Sequence, residues 1–525
     1  MTSKHAPHWV IDMTLSAPSL GDNTADADRL ASALKKALDV DTVHMDLNLL
    51  RQLPDQLRQW NYRLRAVVFK DIAGNGILVH LAAADSSQVC YGLAVDLGTT
   101  RVVLRLVDLE TGDHHGEVVF DNPQISVGPD VLARIHHVEN KGGLAQLNQL
   151  IIDGLNAQLD QLCKAGDISP QQIHLVAIAG NTAMTHLLLG LNPRWIIREP
   201  YIPVVNQPGI MKSRDLGIEV HPDARAMVFP NVGSYFGGDL IAGMLYCDMD
   251  QREDTAILVD VGTNAEVVLG NRHWMMACAG AAGPALEGGV SRMGTTAGPG
   301  VIDRITIDPK SLHFDIHTIA DQPARGICGS GVIDLAAALF RSAMIDIRGK
   351  LLPERCGERF SMRNGLGHLT IVPADQSGTG LDLCITQADL DSLIRSKAAM
   401  YTILETITGT VGMQQSDLET FFVAGTFGAY IDPKSAITIG MIPDLALDCY
   451  QSLGNSSLGG TTRVLTDPGC VERVRHIRDS ITYLELNVNQ DFMNRFSAAK
   501  FLPHTDTRRF PSVQVPGNGS ATNPP

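Results

Sequence analysis

The sequence has 525 residues, which is too long for one hydrophobic core and predicts roughly two to four domains. Its net charge of −15 argues against nucleic acid and anionic membranes as partners, because both attract basic surfaces. No apolar run approaches the roughly 20 residues of a membrane-spanning helix, and Met1–Leu15 lacks the apolar centre of a signal peptide, so we expect a cytoplasmic protein.

Nine cysteines are scattered along the chain. The closest pair, Cys449 and Cys470, is 21 residues apart (470 − 449). Zinc ribbons and compact iron–sulfur loops take their ligands from closely spaced cysteines. The sequence therefore predicts reduced, mostly buried thiols and no iron–sulfur cluster.

Residues 1–88 have the pattern of a small α/β unit. Trp9–Leu15 alternates like a strand, and Ala25–Leu38 has apolar residues at helical spacing. Leu64–Lys70 and Gly76–Ala82 are predicted as two strands joined by a turn. Nothing in this segment indicates chemistry, so we expect a packing or docking domain.

Two acidic turns, each after an apolar strand, are the strongest signal in the sequence. They begin at Asp96 and Asp260, 164 residues apart (260 − 96), and read Asp96-Leu97-Gly98-Thr99-Thr100 and Asp260-Val261-Gly262-Thr263-Asn264. Glycine lets the backbone approach an anion, and the following N–H and hydroxyl groups donate to phosphate oxygens. Each carboxylate is suited to hold Mg²⁺ through water molecules. A single such turn is more often an ordinary hairpin, whereas two copies indicate a nucleotide site.

Three further glycine-rich junctions connect strands to helices. They are Gly180-Asn181-Thr182, Gly326–Gly331 with Gly329 at its centre, and Gly425-Thr426-Phe427-Gly428, where a purine would lie against the backbone. The alternative for such junctions is a helix start that needs glycine for packing.

Asp239 opens a predicted helix just before the second acidic turn. Its carboxylate would orient the water that attacks a phosphate. The alternative is an N-cap, which is a common role for aspartate at the start of a helix.

The order of these five pieces resembles the ASKHA superfamily of acetate and sugar kinases, heat-shock chaperones and actin. In that resemblance Asp96–Thr100 and Asp260–Asn264 are the two phosphate motifs, and Gly425–Gly428 is the adenosine motif. Gly180–Thr182 and Gly326–Gly331 take the places of the two connecting motifs. The implied fold class is α/β, with duplicated RNase H-like, actin-like ATPase lobes and a small N-terminal α/β domain.

Longer stretches resemble one branch, the reductive activators of corrinoid proteins (RACo-like proteins). They are Asn122-Pro123-Gln124, Gly128-Pro129-Asp130-Val131, Ala179–Met184, Ala281–Gly288, Gly326–Gly331 with Asp334, Ile385–Leu390 and Ala424–Asp432. The resemblance covers residues 90–470, and residues 1–88 resemble the branch's middle domain. The expected domains are therefore 1–88, a lobe at 89–254, a second lobe at 255–500, and a disordered tail at 501–525.

The resemblance implies an ATPase, with ATP and Mg²⁺ as cofactors, that drives the reduction of a corrinoid protein from Co(II) to Co(I). The corrinoid protein of a methyltransferase system is the implied partner, and a homodimer is the implied assembly. The branch usually carries an N-terminal ferredoxin domain that this sequence does not match, so we expect a separate ferredoxin-type electron donor. Two alternatives stay open: a nucleotide-gated chaperone or binding module for a corrinoid protein, and a small-molecule kinase of the same fold.

Overall fold

A computed structural model describes residues 8–261, 264–281, 290–425, 431–484, 486 and 492–516. Their contacts divide the chain into two compact units. The first contains the residues up to Gln251 and then Ser456–Ile481, and the second contains Arg252–Asn455 and the residues from Thr482 onward. The predicted second lobe, 255–500, therefore differs from the second unit, because residues 456–481 pack with the first.

The N-terminal part of the first unit is a small sheet with two helices. Its strands are β1 Val10–Thr14, β2 Val43–Met45, β3 Arg63–Lys70 and β4 Gly76–Ala83, in the order β1-β3-β4-β2. The helices are Asp26–Leu38 and Leu47–Gln59. Each helix buries a leucine at every fourth position, which is the spacing of one helical face, at Leu30, Leu34 and Leu38 and at Leu49, Leu53 and Leu57.

The central sheet of the first unit has six strands. They are β5 Tyr91–Leu97, β6 Arg101–Asp108, β7 His114–Asp121, β8 Ile173–Gly180, β9 Ile210–Lys212 and β10 Arg225–Val228, in the order β7-β6-β5-β8-β10-β9. The helices of this part are Val131–His137, Gly143–Ala165, Thr182–Leu188, Gly238–Tyr246, Ser456–Thr466 and Gly469–Ser480. The longest of them buries Leu147, Ile151, Leu155 and Leu159 in the core shared with this sheet.

The second unit also has a six-stranded central sheet. The strands of this unit are β11 Ala256–Val261, β12 Asn264–Asn271, β13 Trp274–Ala281, β14 Val301–Ile307, β15 Phe314–Thr318, β16 Gly326–Ile327, β17 Phe360–Arg363, β18 Leu366–Val372, β19 Leu383–Thr386, β20 Thr420–Ala424, β21 Tyr450–Gly454 and β22 Ile481–Tyr483. The central order is β21-β20-β11-β12-β13-β22, and two three-stranded sheets have the orders β15-β14-β16 and β17-β18-β19.

The helices of the second unit are Gly329–Arg341, Pro353–Cys356, Gln387–Thr410, Pro433–Thr438 and Phe492–Ala499. In the part of the chain that the structure describes, no helix is both long enough and apolar enough to cross a bilayer.

The two central sheets share one strand arrangement. In each, three consecutive antiparallel strands are followed by two parallel partners: β5 pairs with β8 and β8 with β10, while β11 pairs with β20 and β20 with β21. This repeated topology confirms the predicted duplication of α/β lobes.

The C-terminal segment is packed against the second unit. Leu502 and Phe510 are buried, and the fully buried ammonium group of Lys397 donates to the carbonyls of Phe501 (2.6 Å) and Pro503 (2.7 Å). The prediction of a disordered tail was therefore wrong for residues 501–516, because two apolar anchors outweigh the polar composition around them. Residues 517–525 lie outside the described residues.

Candidate functional site

The two acidic residues occupy the same place in the repeated sheet. Asp96 is the next-to-last residue of β5 and lies opposite Ala179 of β8. Asp260 is the next-to-last residue of β11 and lies opposite Ala424 of β20. Both side chains are half-buried. The duplication therefore presents one carboxylate at the equivalent end of each central sheet.

The turn that begins at Asp96 requires glycine at position 98. A Cβ atom on Gly98 would overlap the backbone carbonyl of Arg101, so a larger residue would open the turn. Thr99 is half-buried and Thr100 is exposed. The side-chain amide of Asn181 donates to the hydroxyl of Thr99 at 2.9 Å, so the structure brings these two predicted nucleotide-binding residues together.

Three successive carbonyl groups of this turn each accept a hydrogen bond from another part of the first unit. The carbonyl of Gly98 accepts from the side chain of Asn122 (2.9 Å), and that of Thr100 accepts from the backbone N–H of Asn122 (2.8 Å). The carbonyl of Thr99 accepts from the guanidinium of Arg134 (2.7 Å). In a trans peptide the C=O and the next N–H point in opposite directions. The N–H groups after these carbonyls are therefore turned the other way, which is the arrangement that binds an anion.

Arg134 is the residue that sequence reasoning missed. Its side chain is fully buried, and besides Thr99 it donates to the carbonyl of Gly128 (2.9 Å) and to the side-chain oxygen of Gln124 (3.1 Å). Burial lowers the pKa of Arg134 to about 10, so the guanidinium stays charged at neutral pH. A buried positive charge next to the turn favours the binding of a negatively charged phosphate at the turn. The available signal was the stretch that begins at Gly128, which we used only as a family signature.

The junction after β8 packs tightly against the helix that carries Asp239. A Cβ atom on Gly180 would lie 2.7 Å from the carbonyl of Leu97, and one on Gly237 would lie 2.5 Å from the Cα of Asn181. The helix has Gly237 as its N-cap, and one oxygen of Asp239 accepts from the N–H of Leu240 at 3.0 Å. The N-cap alternative for Asp239 was therefore wrong, and its carboxylate lies next to the Gly180 junction.

Thr182 has a structural role in the same junction. Its side chain is 1% exposed, and its hydroxyl donates to the carbonyl of Gly233 at 3.1 Å. This bond uses the hydroxyl as a donor within the protein. The assignment of Gly180, Asn181 and Thr182 to nucleotide binding stays a prediction.

The structure describes the second turn only in part. Gly425 has a left-handed φ of +84°, and a Cβ atom there would lie 2.9 Å from a carboxylate oxygen of Asp260. Asn264 begins β12. The other predicted residues of this half, Gly262, Thr263, Thr426 and Gly428, lie outside the described residues. The described part nevertheless brings Asp260 and the adenosine junction together.

A polar cavity of about 420 Å³ lies within the second unit, beside the helix that begins at Gly329. It is lined by Asp303, Arg304, Ile305, Thr306, Ser330, Asp334, Arg341, Ile431, Asp432 and Ser435. Asp334 is only 7% exposed, and its Oδ1 atom has no hydrogen-bond partner. Burial raises the pKa of Asp334 to about 6, and the Asp432 carboxylate adds to that rise. The cavity therefore contains a buried acceptor that is suited to a donor group of a ligand.

Two helices of the first unit adjoin the points where the chain leaves that unit and returns to it. The chain leaves the first unit after Gln251 and returns at Ser456, so the adjoining helices are Gly238–Tyr246 and Ser456–Thr466. They touch backbone to backbone, because a Cβ atom on Gly460 would overlap the carbonyl of Ala242. The predicted connecting motifs lie at other places, since Asn181 contacts Thr99 of the first turn and Ser330 lines the cavity.

Three models of one protein family match successive parts of the chain. The RACo linker region matches residues 6–88, the RACo middle region matches residues 91–252, and the C-terminal ASKHA domain of RACo matches residues 254–514. The N-terminal α/β domain thus corresponds to the linker region, which corrects its predicted likeness to the middle domain.

One solved structure and two curated proteins are similar over most of their length. The structure, a reductive activator for a corrinoid, iron–sulfur protein, superposes with a TM-score of 0.84 at 35% identity and covers 98% of this chain and 81% of its own. The corrinoid activation enzyme RamQ of Eubacterium limosum is 29% identical over 433 residues, which is 81% of this chain and 72% of RamQ. A Co(II) methylated-amine-specific corrinoid protein reductase of Methanosarcina barkeri is 26% identical over 446 residues, covering 77% and 75%.

Proposed function

The chain belongs to the RACo family, and on that basis we propose that it is an ATP-dependent reductive activator, which returns a partner corrinoid protein from Co(II) to Co(I). The relatives named above act on corrinoid proteins, and the single observation that supports ATP as the driving ligand is the first turn. Its three carbonyls are tied back by Asn122 and the buried Arg134, which leaves its N–H groups suited to phosphate.

We assign the parts of ATP to the residues whose chemistry fits them. Gly98 and Thr99 would contact phosphate oxygens, with Asn181 holding the Thr99 hydroxyl. Asp96 and Asp260 would hold Mg²⁺ through water, since this ion keeps much of its hydration shell. Mg²⁺ would neutralise charge on the phosphates, and Asp239 would orient the attacking water.

The cavity beside Asp334 would take the adenosine part of ATP. Its volume falls in the usual range for small-molecule pockets, about 300–1,000 Å³. A ribose hydroxyl would supply the donor that Oδ1 of Asp334 lacks. The planar guanidinium groups of Arg304 and Arg341 line the same cavity and suit a flat purine. The chain positions Ile431 and Asp432 there directly after the predicted adenosine motif.

The electron would come from a separate donor. The nine cysteines lie at least 21 positions apart, which does not match the closely spaced ligands of compact iron–sulfur loops. One electron converts Co(II) to Co(I), and ATP hydrolysis transfers none. Its free energy would act through docking, because a nucleotide shifts an equilibrium only by binding the two states with different affinity. A ferredoxin-type protein is the proposed donor, and the homodimer stays a prediction that light scattering can measure.

The test combines purified full-length protein, a Co(II) corrinoid protein from a methyltransferase system, a low-potential reductant and Mg-ATP. We expect the corrinoid protein to stimulate phosphate release and the Co(I) absorption spectrum to appear only with ATP. Asp260→Ala should abolish most turnover while the fold stays intact, whereas Asp153→Ala, on an exposed helix face, should behave like wild type.

Three results would contradict parts of the proposal. Unchanged ATP turnover in the presence of the corrinoid protein, together with no Co(I), would refute activation. ATP-dependent binding of the corrinoid protein without Co(I) would favour the chaperone alternative. Transfer of phosphate to a small molecule rather than to water would favour the kinase alternative.

A further inference from the structure

Three histidines from distant parts of the sequence converge in the first unit. His80 lies in β4 of the N-terminal sheet, His174 lies in β8 of the central sheet, and His221 lies in the loop before β10. Their ring centroids are 4.6, 4.9 and 4.7 Å apart. One nitrogen from each ring can be chosen so that all three lie within 4.8 Å of one another.

His174 is the member that packing alone explains least. Its side chain is 1% exposed, and neither Nδ1 nor Nε2 has a hydrogen-bond partner. A buried polar group without a partner costs about 1–3 kcal/mol, so native structures nearly always satisfy such groups. An imidazole with two unsatisfied nitrogens, stacked on the His80 ring and tilted against the His221 ring, indicates a ligand site.

A metal ion is a ligand that this arrangement can accept. A neutral imidazole has a free lone pair that binds a metal ion, and both ring nitrogens of His174 lack a hydrogen-bond partner.

We propose that His80, His174 and His221 bind one divalent transition-metal ion of the zinc class. Zinc–nitrogen bonds of about 2.0–2.1 Å in a tetrahedral site place neighbouring ligand nitrogens about 3.3 Å apart. The three side chains would therefore have to rotate on binding, to bring nitrogens that now lie within 4.8 Å of one another to this spacing. The site shares no residue with the ATP site proposed above, and it does not depend on the corrinoid activity.

His221 is the ligand whose surroundings must change on binding. Its Nδ1 accepts a long hydrogen bond, 3.2 Å, from the N–H of Asp223. A metal at Nδ1 replaces this bond. The carboxylate of Asp223 is itself paired with Lys212 at 3.1 Å.

The ion would fasten the N-terminal sheet to the central sheet of the first unit. These parts already share an ionic contact, in which Asp46 pairs with Lys212 (2.7 Å) and Arg225 (2.6 Å). A zinc-class ion with ligands from β4, β8 and the loop before β10 would join the same two parts of the first unit through other elements. With three protein ligands, a tetrahedral ion would take a water molecule as its fourth ligand. We assign the ion a structural role because its ligands would join the N-terminal sheet to the central sheet.

The test is the metal content and thermal stability of the full chain, purified without a histidine tag or chelator. After incubation with Zn²⁺ and gel filtration, we expect one zinc per chain by mass spectrometry of the metal, and a melting temperature several degrees above that of the chelator-treated protein. Co²⁺ added to the metal-free protein should give the intense visible absorption of a tetrahedral site.

The partly exposed ligands provide the variants, because a change at the fully buried His174 can prevent folding. His80→Gln and His221→Gln should each lose the bound zinc and the zinc-dependent rise in melting temperature. His273→Gln, at an exposed histidine, is the matched control and should keep both. Wild-type protein that retains no zinc, or variants that retain as much zinc as the control, would overturn the proposal.

Discussion

Replacing Arg134 by methionine tests whether the buried guanidinium of Arg134 stabilises the conformation of the first turn. Methionine fills a similar space but cannot donate hydrogen bonds. The change leaves the carbonyls of Thr99 and Gly128 and the side-chain oxygen of Gln124 without their donor. At about 1–3 kcal/mol for each unsatisfied acceptor, we expect the free energy of unfolding to fall by roughly 3 kcal/mol, with part offset by removing a buried charge.

Substitution of Arg134 should also weaken ATP binding. Without Arg134 the Thr99 peptide is free to rotate, and the positive charge behind the turn is lost. Arg134→Lys separates these two contributions, because lysine keeps the charge but presents one donor group instead of a planar fork. We expect the affinity for ATP to decrease from wild type to Arg134→Lys and again to Arg134→Met. Each 1.4 kcal/mol of binding free energy lost should raise the dissociation constant roughly tenfold.

Urea denaturation followed by fluorescence measures the stability, and isothermal titration with a non-hydrolysable ATP analogue measures the affinity. Arg194→Met, at an exposed arginine, is the matched control and should change neither quantity. A folded Arg134→Met protein that binds the analogue like wild type would refute the assignment of Arg134 to the phosphate turn.

Three further changes test other parts of the structure. Asp334 holds its proton more tightly in the folded state, with a pKa near 6 against 3.8 for the ordinary group, so the free energy of unfolding should fall as pH rises through this window. Asp334→Asn should abolish that slope in urea titrations at pH 4–7. Gly460→Ala should lower the melting temperature by several degrees, because its Cβ would overlap the carbonyl of Ala242. Lys397→Met removes the donor to the carbonyls of Phe501 and Pro503, so limited proteolysis should cut the C-terminal segment faster.

The sequence predicted the parts of the fold whose signal is local. An apolar strand, an aspartate at its end and a glycine within two residues are enough to specify a tight turn, and this pattern located Asp96 and Asp260 correctly at the ends of equivalent strands. The RACo resemblance rested on long ordered stretches, and the family matches over residues 6–514 confirmed it.

The features that escaped prediction depend on contacts between distant residues. Arg134 reaches Thr99 across 35 positions, and as a single basic residue in a short helix it has no distinctive pattern. The three metal-site histidines are 94 and 47 positions apart (174 − 80 and 221 − 174), so no spacing rule for metal ligands selects them. Composition also failed for residues 501–516, where Leu502 and Phe510 decide the packing.

Residues at equivalent positions of the two repeated sheets can have different roles. Gly180 and Gly425 follow residues paired with Asp96 and Asp260, so they occupy matching places in the two sheets. Gly180 is required because a Cβ atom there would lie 2.7 Å from the carbonyl oxygen of Leu97. Gly425 instead has a left-handed φ, and a Cβ atom there would lie 2.9 Å from the Asp260 carboxylate. Sequence reasoning assigned one to a connecting motif and the other to adenosine. The strand register shows that Gly180 and Gly425 occupy equivalent positions. Because their neighbours differ, Gly180→Ala should disturb the backbone of the first turn, whereas Gly425→Ala should displace the Asp260 carboxylate that we assign to Mg²⁺.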